Sequence, residues 1–265
     1  MYIEWNRVIV IILIVAVAGL LLWQFIPRTT QQNIAGLVSG QSRVVFVLLD
    51  LSESTRSMRG TYSADFRKIL DLLQGGDRIV VSGIVANPLA QSAYAVDEKL
   101  PAYGLLDLRG NPVYGPANQK QLEDMKKDIQ SKADGLLSSG VAAPATPIMD
   151  SLQLAQRVFD TYQDGKPVLI IFSDMVEVSD GYDFGAQTPL TAQDASTIIE
   201  KKETAGDLPS LKNVEVYVVG AGAGKENSDM TTEQWVGIQN FWMAYFTATG
   251  ANLSADRYGA ALLKF

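Results

Sequence analysis

Strand-like apolar runs alternate with segments of helical periodicity from residue 43 onwards. The runs at 44–49, 78–85, 167–174 and 214–220 are short and rich in β-branched residues, which predicts buried strands. Between them apolar residues recur every three or four positions, which predicts amphipathic helices. This alternation predicts an α/β fold of the Rossmann-like, doubly wound type, with a mostly parallel sheet and helices on both faces.

The predicted helices are identified by their apolar stripes and caps. The stripes are Phe66, Ile69, Leu70 and Leu73; Leu122, Met125, Ile129, Ala133 and Leu136; and Ile148, Leu152, Ala155 and Phe159. A further helix is expected at 192–202, and Thr231 with Gln234 forms a capping-box pattern ahead of an aromatic helix whose rings we expect in the core. Residues 91–115 indicate an edge strand and a hairpin. The spacing of Tyr258, Ala261, Leu262 and Phe265 predicts a final helix.

The N-terminal region contains one long apolar segment. Residues 8–27 (VIVIILIVAVAGLLLWQFIP) include only Gln24 as a polar side chain, and as a helix they would be about 28 Å long, close to the apolar thickness of a bilayer. We therefore expect a single membrane anchor at 8–27, a polar tether at 28–42 and a globular domain at 43–265. A cleaved signal peptide is the alternative. The short segment before the anchor favours an extracytoplasmic domain.

Composition excludes several classes of function. The 265-residue chain has neither cysteine nor histidine, which excludes disulfides, thiol nucleophiles, typical zinc ligation and histidine acid–base chemistry. A net charge of −7 without a long Lys/Arg cluster argues against nucleic-acid binding, because phosphate neutralisation supplies most of that affinity. The remaining chemistry must use oxygen ligands.

A candidate oxygen site begins where the first predicted strand ends. Asp50, Ser52 and Ser54 form a D-x-S-x-S pattern, and alternate residues in a turn can direct a carboxylate and two hydroxyls to one point. These are hard donors suited to Mg²⁺ or a similar cation. Thr146, ahead of a predicted helix, and Asp174, at the end of a second strand, offer the other half of a site.

With DLSES at 50–54, the threonine of ATP at 146 and the aspartate of FSD at 174, the sequence resembles the von Willebrand factor A (VWA) family and its metal-ion-dependent adhesion site. The resemblance extends over about residues 43–265. It implies metal ligation by Asp50, Ser52, Ser54, Thr146 and Asp174. Mg²⁺ is the favoured cation, with Mn²⁺ or Ca²⁺ as alternatives.

In this family-based interpretation the open metal position binds an Asp or Glu of a protein partner, and the chain is not an enzyme. One alternative is a Mg²⁺-dependent phosphotransferase or hydrolase with Asp50 as nucleophile, although D-x-D is the usual pattern there and Ser52 replaces the second acid. Another is a metal-independent scaffold subunit of a membrane complex. Taken singly, Thr146 before Pro147 also fits an ordinary helix N-cap.

Two further stretches invite a functional interpretation. VVGAGAGKENS (218–228) has the glycines and lysine of a phosphate loop, but Val219 and Glu226 break the required pattern. Glu177, Asp180 and Asp183 follow Asp174 closely, and we expect them to form an acidic, solvated loop.

Overall fold

A computed structural model describes residues 42–90, 94–101, 105–106, 112–113, 116–139, 145–179, 181–185, 188–223, 229–259 and 261–262. The predicted anchor at 8–27 lies outside these residues, as does all of the tether except Ser42. Within the described residues no helix has both the length and the apolar character needed to cross a bilayer.

Five α-helices and ten strands are described. The helices are α1 (Arg59–Leu72), α2 (Pro116–Ser138), α3 (Ile148–Thr161), α4 (Ala192–Ala205) and α5 (Thr232–Thr249). The strands are β1 (Arg43–Asp50), β2 (Arg78–Ile84), β3 (Val96–Lys99), β4 (Leu105–Leu106), β5 (Pro112–Val113), β6 (Lys166–Phe172), β7 (Val178–Ser179), β8 (Tyr182–Asp183), β9 (Glu215–Val219) and β10 (Tyr258–Gly259). The five helices and four long strand segments predicted from the sequence up to residue 249 are confirmed.

Six strands form the main sheet, in the order β10-β9-β6-β1-β2-β3. All neighbours are parallel except β2 and β3, which pair antiparallel. Counted along the chain, this is the strand order 3-2-1-4-5-6 of doubly wound α/β folds, with the reversal of order between β1 and β6. The predicted fold class, a mostly parallel α/β sheet, is confirmed.

The two faces of the sheet are covered by different helices. Val44, Phe46 and Leu48 of β1 pack with apolar residues of α3, α4 and α5. The alternate residues Val45, Val47 and Leu49 pack with α1 and α2. Because strand side chains alternate between faces, one continuous apolar run supplies both cores, as expected for a central strand buried on both sides.

The β3 edge of the sheet is short and charged. Three of its four residues, Asp97, Glu98 and Lys99, form ion pairs with Arg78, Lys132 and Asp164 respectively. Two smaller antiparallel pairs are separate from this sheet: β7 with β8, and β4 with β5. The β4–β5 pair falls in a different compact unit from the main sheet. The expectation of an edge strand and a hairpin within 91–115 is thereby met.

The capping box of α5 is formed as predicted. The Thr231 hydroxyl accepts the Gln234 N–H at 3.2 Å, and the Gln234 side chain accepts the Thr231 N–H at 2.6 Å. These bonds satisfy two backbone donors that the first helical turn leaves without partners. The helix then places Phe241, Trp242 and Tyr245 fully inside the core.

The predicted C-terminal helix is wrong. Tyr258–Gly259 is a strand paired in parallel with Val218–Val219, and the Gly259 carbonyl accepts the N–H groups of Gly220 and Ala221 at 2.8 and 3.0 Å. The apolar spacing suggested a helix, but the side of β9 that faces away from β6 needs backbone hydrogen-bond partners, which a helix could not supply. Residues 260 and 263–265 of the predicted helix lie outside the described residues.

Two helical glycines should respond in opposite directions to alanine. A Cβ at Gly237 in α5 would lie 2.7 Å from the Leu190 carbonyl oxygen, whereas at Gly135 in α2 no described atom would lie within 4 Å. We expect G135A to raise the free energy of unfolding by about 0.5–1 kcal/mol through helix propensity, and G237A to lower it by roughly 1–3 kcal/mol through overpacking. Urea denaturation measures both values. A stabilised G237A would contradict the close approach of α5 to Leu190.

Candidate metal centre

The candidate site lies at the carboxyl ends of β1 and β6, the two central strands of the sheet. Leu49 is paired with Phe172 in the parallel register, so the chain leaves both strands at the same level. Asp50 is the last residue of β1, and Asp174 follows β6 by two positions. This is the edge, and the point of reversed strand order, at which open α/β sheets bind ligands.

Both carboxylate oxygens of Asp50 accept hydrogen bonds. The Ser52 N–H donates to Oδ1 at 2.8 Å, and the Ser173 hydroxyl donates to Oδ2 at 2.6 Å. Asp50 is fully buried. The first bond closes the turn after β1, and the second joins the end of β1 to the end of β6.

The turn after Asp50 brings two serine hydroxyls together. Ser52 Oγ and Ser54 Oγ are 3.1 Å apart. The Thr55 hydroxyl donates to the carbonyls of Asp50 and Ser52 at 3.0 and 3.1 Å, which holds the turn closed from inside. Ser52 is buried and Ser54 is exposed, so one hydroxyl lies inside the protein and the other at its surface.

Asp174 lies beside this turn. Its carboxylate accepts the Val176 N–H at 3.0 Å, and the Ser54 hydroxyl is close enough to lower the pKa of Asp174, against the larger rise that burial causes. Asp174 is 4% exposed. Asp50, Ser52, Ser54 and Asp174 thus lie together, as the sequence spacing suggested.

The two carboxylates destabilise each other's charge. Burial, followed by repulsion from Asp174, raises the pKa of Asp50 to about 6, although the bonds from Ser173 and Ser52 oppose the shift. Burial also raises the pKa of Asp174. Within the described part of the chain, neither carboxylate forms an ion pair with a lysine or arginine; the Arg59 guanidinium instead donates to the carbonyls of Leu51 and Ser52 at 2.6 and 3.2 Å. The cluster therefore holds two buried carboxylates without a direct cationic partner.

Two tyrosines lie close enough to feel this charge. The pKa of Tyr62 is raised well above its usual value by burial and then by Asp50 and Asp174. Burial and Asp174 likewise raise the pKa of Tyr258. Gly220 lies close to Tyr62, since an added Cβ at Gly220 would lie 2.3 Å from the Tyr62 hydroxyl. Because their pKa values are raised, both phenols stay neutral at physiological pH.

Thr146 is paired through its backbone with Val178, in the loop that follows Asp174. Its N–H donates to the Val178 carbonyl at 2.7 Å, and its carbonyl accepts the Val178 N–H at 3.2 Å. Thr146 is 5% exposed. It is not the N-cap that the sequence also allowed, because α3 begins at Ile148 with Pro147 in the N-cap position.

The helix is capped instead by Glu177, which we expected in a solvated loop. That expectation is wrong: Glu177 is 1% exposed. Its Oε2 accepts the N–H groups of Ile148 and Met149 at 2.8 and 3.0 Å, and its Oε1 accepts the Ser179 hydroxyl at 2.6 Å. No local pattern indicates this cap, because the donors and the acceptor are 29 and 28 positions apart in the chain.

Two other residues of the site were missed. Ser173, which supports Asp50, could have been noticed as the first polar residue after an apolar strand. Met175 has a left-handed backbone, with a φ of 67°, which is uncommon for a residue with a side chain. The N–H of Met175 donates to the Ser173 hydroxyl at 2.9 Å, and the carbonyl of Met175 accepts the Trp242 indole N–H at 2.8 Å. Both backbone groups of this strained residue are therefore held by hydrogen bonds.

The donor set suits a hard divalent cation. No cluster of three or more acidic side chains placed to hold a metal occurs in the described part of the chain. The candidate centre instead combines two carboxylates with serine hydroxyls, all of them oxygen donors. A bound cation would offset the charge that burial and mutual repulsion now make costly.

Comparison with known proteins yields structural likeness only. No protein-family model and no curated protein sequence matches the chain. Among solved structures, the open conformation of the pilus adhesin SpaC from Lactobacillus rhamnosus GG matches with 14% identity and a TM-score of 0.45, over 82% of this chain and 29% of the adhesin. A von Willebrand factor type A structure from Catenulispora acidiphila matches with 14% identity and a TM-score of 0.34, over 79% and 43% of the two chains.

The manganese-loaded TRAP protein of Plasmodium vivax matches with 12% identity and a TM-score of 0.39, over 84% of this chain and 69% of TRAP. This chain thus spans less than half the length of the adhesin and of the Catenulispora protein. At these identities and TM-scores the likenesses assign neither a family nor an activity.

The buried charge of Glu177 should make the metal-free protein less stable as pH rises. Burial raises its pKa from 4.5 to about 7, with a smaller contribution from Asp150, and Tyr245 lies near enough for Glu177 to raise the pKa of its phenol. The folded state holds this proton more tightly than the unfolded chain. The stabilisation is therefore complete below about pH 4.5 and is lost as the pH rises towards 7.

E177Q removes this titration. In EDTA we expect the stability of the wild type relative to E177Q to fall by on the order of 3 kcal/mol between pH 4.5 and 7.5, measured by urea denaturation at each pH. Asp50 titrates in the same direction in both proteins, so its contribution cancels. A stability difference that does not change with pH would show that Glu177 keeps an ordinary pKa.

Proposed function

We propose that this chain is a VWA-type binding protein. Its divalent-cation site binds an acidic side chain of a protein partner. The proposed ligand set, acting directly or through water, is Asp50, Ser52, Ser54, Thr146 and Asp174.

One observation carries the proposal. The hydroxyls of Ser52 and Ser54 and the carboxylates of Asp50 and Asp174 form one cluster at the carboxyl edge of the sheet. The two carboxylates are buried together without an ion-pair partner among the described residues. Burying such charge is costly unless it is compensated, and a divalent ion is the compensation that suits an oxygen-only site.

The composition of the site also favours a partner's acid as the final ligand. Several of its donors are neutral hydroxyls, so a divalent ion held there retains part of its positive charge. Mg²⁺ is the preferred ion because it accepts hard oxygen donors and keeps exchangeable positions, with Mn²⁺ or Ca²⁺ as alternatives. An Asp or Glu side chain supplies the missing negative charge in such a position.

The geometry of Asp50 supports binding rather than catalysis. A nucleophilic aspartate must present a free oxygen to its substrate. Here Asp50 is fully buried, and both of its oxygens accept hydrogen bonds, from Ser52 and Ser173. This arrangement suits a residue that organises a site and does not favour phosphoryl transfer through Asp50.

The proposal includes attachment to a membrane. The apolar segment at 8–27 has the length of one bilayer-spanning helix, and the polar residues at 28–42 would tether the binding domain to it, on the extracytoplasmic side in this proposal. Retention of the chain in the membrane fraction after alkaline extraction supports this attachment, and its release would argue against an anchor.

Metal binding should stabilise the folded protein. We expect the full chain to unfold at a higher temperature in Mn²⁺ or Mg²⁺ than in EDTA. At a metal concentration 100 times the dissociation constant, the free energy of unfolding should rise by about 2.7 kcal/mol. D50N keeps the shape of the side chain but removes one of two negative charges, so its metal-dependent shift should be lost. Differential scanning calorimetry of both proteins measures the effect.

The matched control is D183N, which removes an exposed acid of β8 whose carboxylate accepts only the Gly185 N–H among the described residues. It should keep the full metal-dependent shift. Equal shifts in D50N and the wild type would place the metal elsewhere and sink the proposal. Partner capture that is lost with EDTA and with D50N supports metal-bridged binding, whereas capture that survives both favours the scaffold.

A further inference from the structure

A buried carboxylate outside the proposed ligand set connects two loops of the site. Glu177 lies three residues after Asp174, and its Oε2 accepts the first two N–H groups of α3, those of Ile148 and Met149, at 2.8 and 3.0 Å. Its Oε1 accepts the Ser179 hydroxyl at 2.6 Å. One side chain therefore joins the loop after β6 to the start of α3.

A second connection runs beside the first. The residue after Glu177, Val178, exchanges two backbone hydrogen bonds with Thr146, at 2.7 and 3.2 Å. Thr146 precedes α3 by one residue, Pro147, which has no side-chain hydrogen-bonding group to cap the helix. The position of Thr146 is thus fixed on both sides by consecutive residues of the loop that carries Asp174.

A cap alone would not require this arrangement. A Ser, Thr, Asp or Asn at the N-cap position satisfies the first turn of a helix locally, as Thr191 does for α4 through its bond from the Asp194 N–H. In α3 the acceptor is a charged group taken from another loop and buried to 1% exposure, which is costly for a carboxylate. What the distant acceptor adds is a constraint between the two loops.

We propose that Glu177 is a positioning residue for the candidate metal centre, holding Thr146 at a fixed place relative to Asp174. The inference rests on the proposed function, because it treats Thr146 as a ligand. Partners of metal ligands typically account for 10- to 100-fold in affinity. Glu177 acts in this way through the backbone: its side chain holds the N–H groups of Ile148 and Met149, just after Thr146, and the next residue, Val178, pairs with Thr146 itself.

The test compares Mn²⁺ binding by the full chain and its variants, by isothermal titration at a temperature where circular dichroism shows each to be folded. E177A removes the acceptor and should raise the dissociation constant roughly 10-fold or more. E177Q keeps an acceptor oxygen for the two N–H groups and should stay within about 3-fold of the wild type. E177D, with a shorter reach, should fall between them, and it replaces E177A if that variant does not fold.

T191A is the control for simple loss of a helix cap. It removes the cap of α4, far from Thr146 in the chain, and lowers stability without touching the connection, so its Mn²⁺ dissociation constant should not change. A dissociation constant for E177A equal to that of the wild type would overturn the positioning role. Equal weakening in T191A and E177A would also overturn it, because stability alone would then explain the effect.

Amide hydrogen exchange supplies a readout that needs no metal. In EDTA, E177A should exchange faster than T191A and the wild type at Thr146, Ile148 and Val178, which are the amides of the connection. Unchanged exchange there would overturn the inference. If the wild type binds no Mn²⁺, the proposed function fails and the positioning role fails with it. Mn²⁺ binding with the same dissociation constant in the wild type and E177A leaves the proposed function standing and removes only the role of Glu177.

Discussion

The hydrogen bond from the Ser173 hydroxyl to Asp50 Oδ2 joins the ends of the two central strands, and the candidate site is built around it. Because strand order reverses between β1 and β6, the loops that leave these strands diverge to opposite faces of the sheet. The hydrogen bond between Asp50, the last residue of β1, and Ser173, the residue that follows β6, holds the starts of these two loops together. The same region buries the carboxylates of Asp50 and Asp174, and neither forms an ion pair with a lysine or arginine of the described chain. A bound cation would therefore compensate negative charge that the fold itself buries.

The same geometry explains why the loops around the site are so heavily constrained. The turn after β1 is closed by Thr55, the peptide after Asp174 is held in a left-handed conformation by Ser173 and Trp242, and the start of α3 is tied to Glu177. Each device fixes a segment that bears a proposed ligand. Polar side chains that solvent would otherwise disperse are held in one arrangement before any ligand arrives, which lowers the entropy lost on binding.

Much of the fold could be predicted because its determinants are local. The apolar runs of β1 and β6 and the stripes of α1, α2 and α3 depend only on residues near each other in the chain. The C-terminal strand could not be predicted, since Tyr258 and Gly259 pair with β9, about forty positions earlier. In the site, the D-x-S-x-S spacing indicated Asp50, Ser52 and Ser54. The cap from Glu177 could not be predicted, because the residue type alone does not show whether an acidic side chain is buried or solvated.

The charged β3 edge bears on how the molecule behaves among its own copies. A sheet whose outermost strand is open and apolar offers a template on which a neighbouring chain can add a strand. Here the outermost strand has four residues, three of them charged and engaged with Arg78, Lys132 and Asp164. Such exposed ion pairs add little to folding stability. Their effect lies in self-recognition: a second molecule that approaches this edge must desolvate these charges, so copies of the protein can remain dispersed at high concentration.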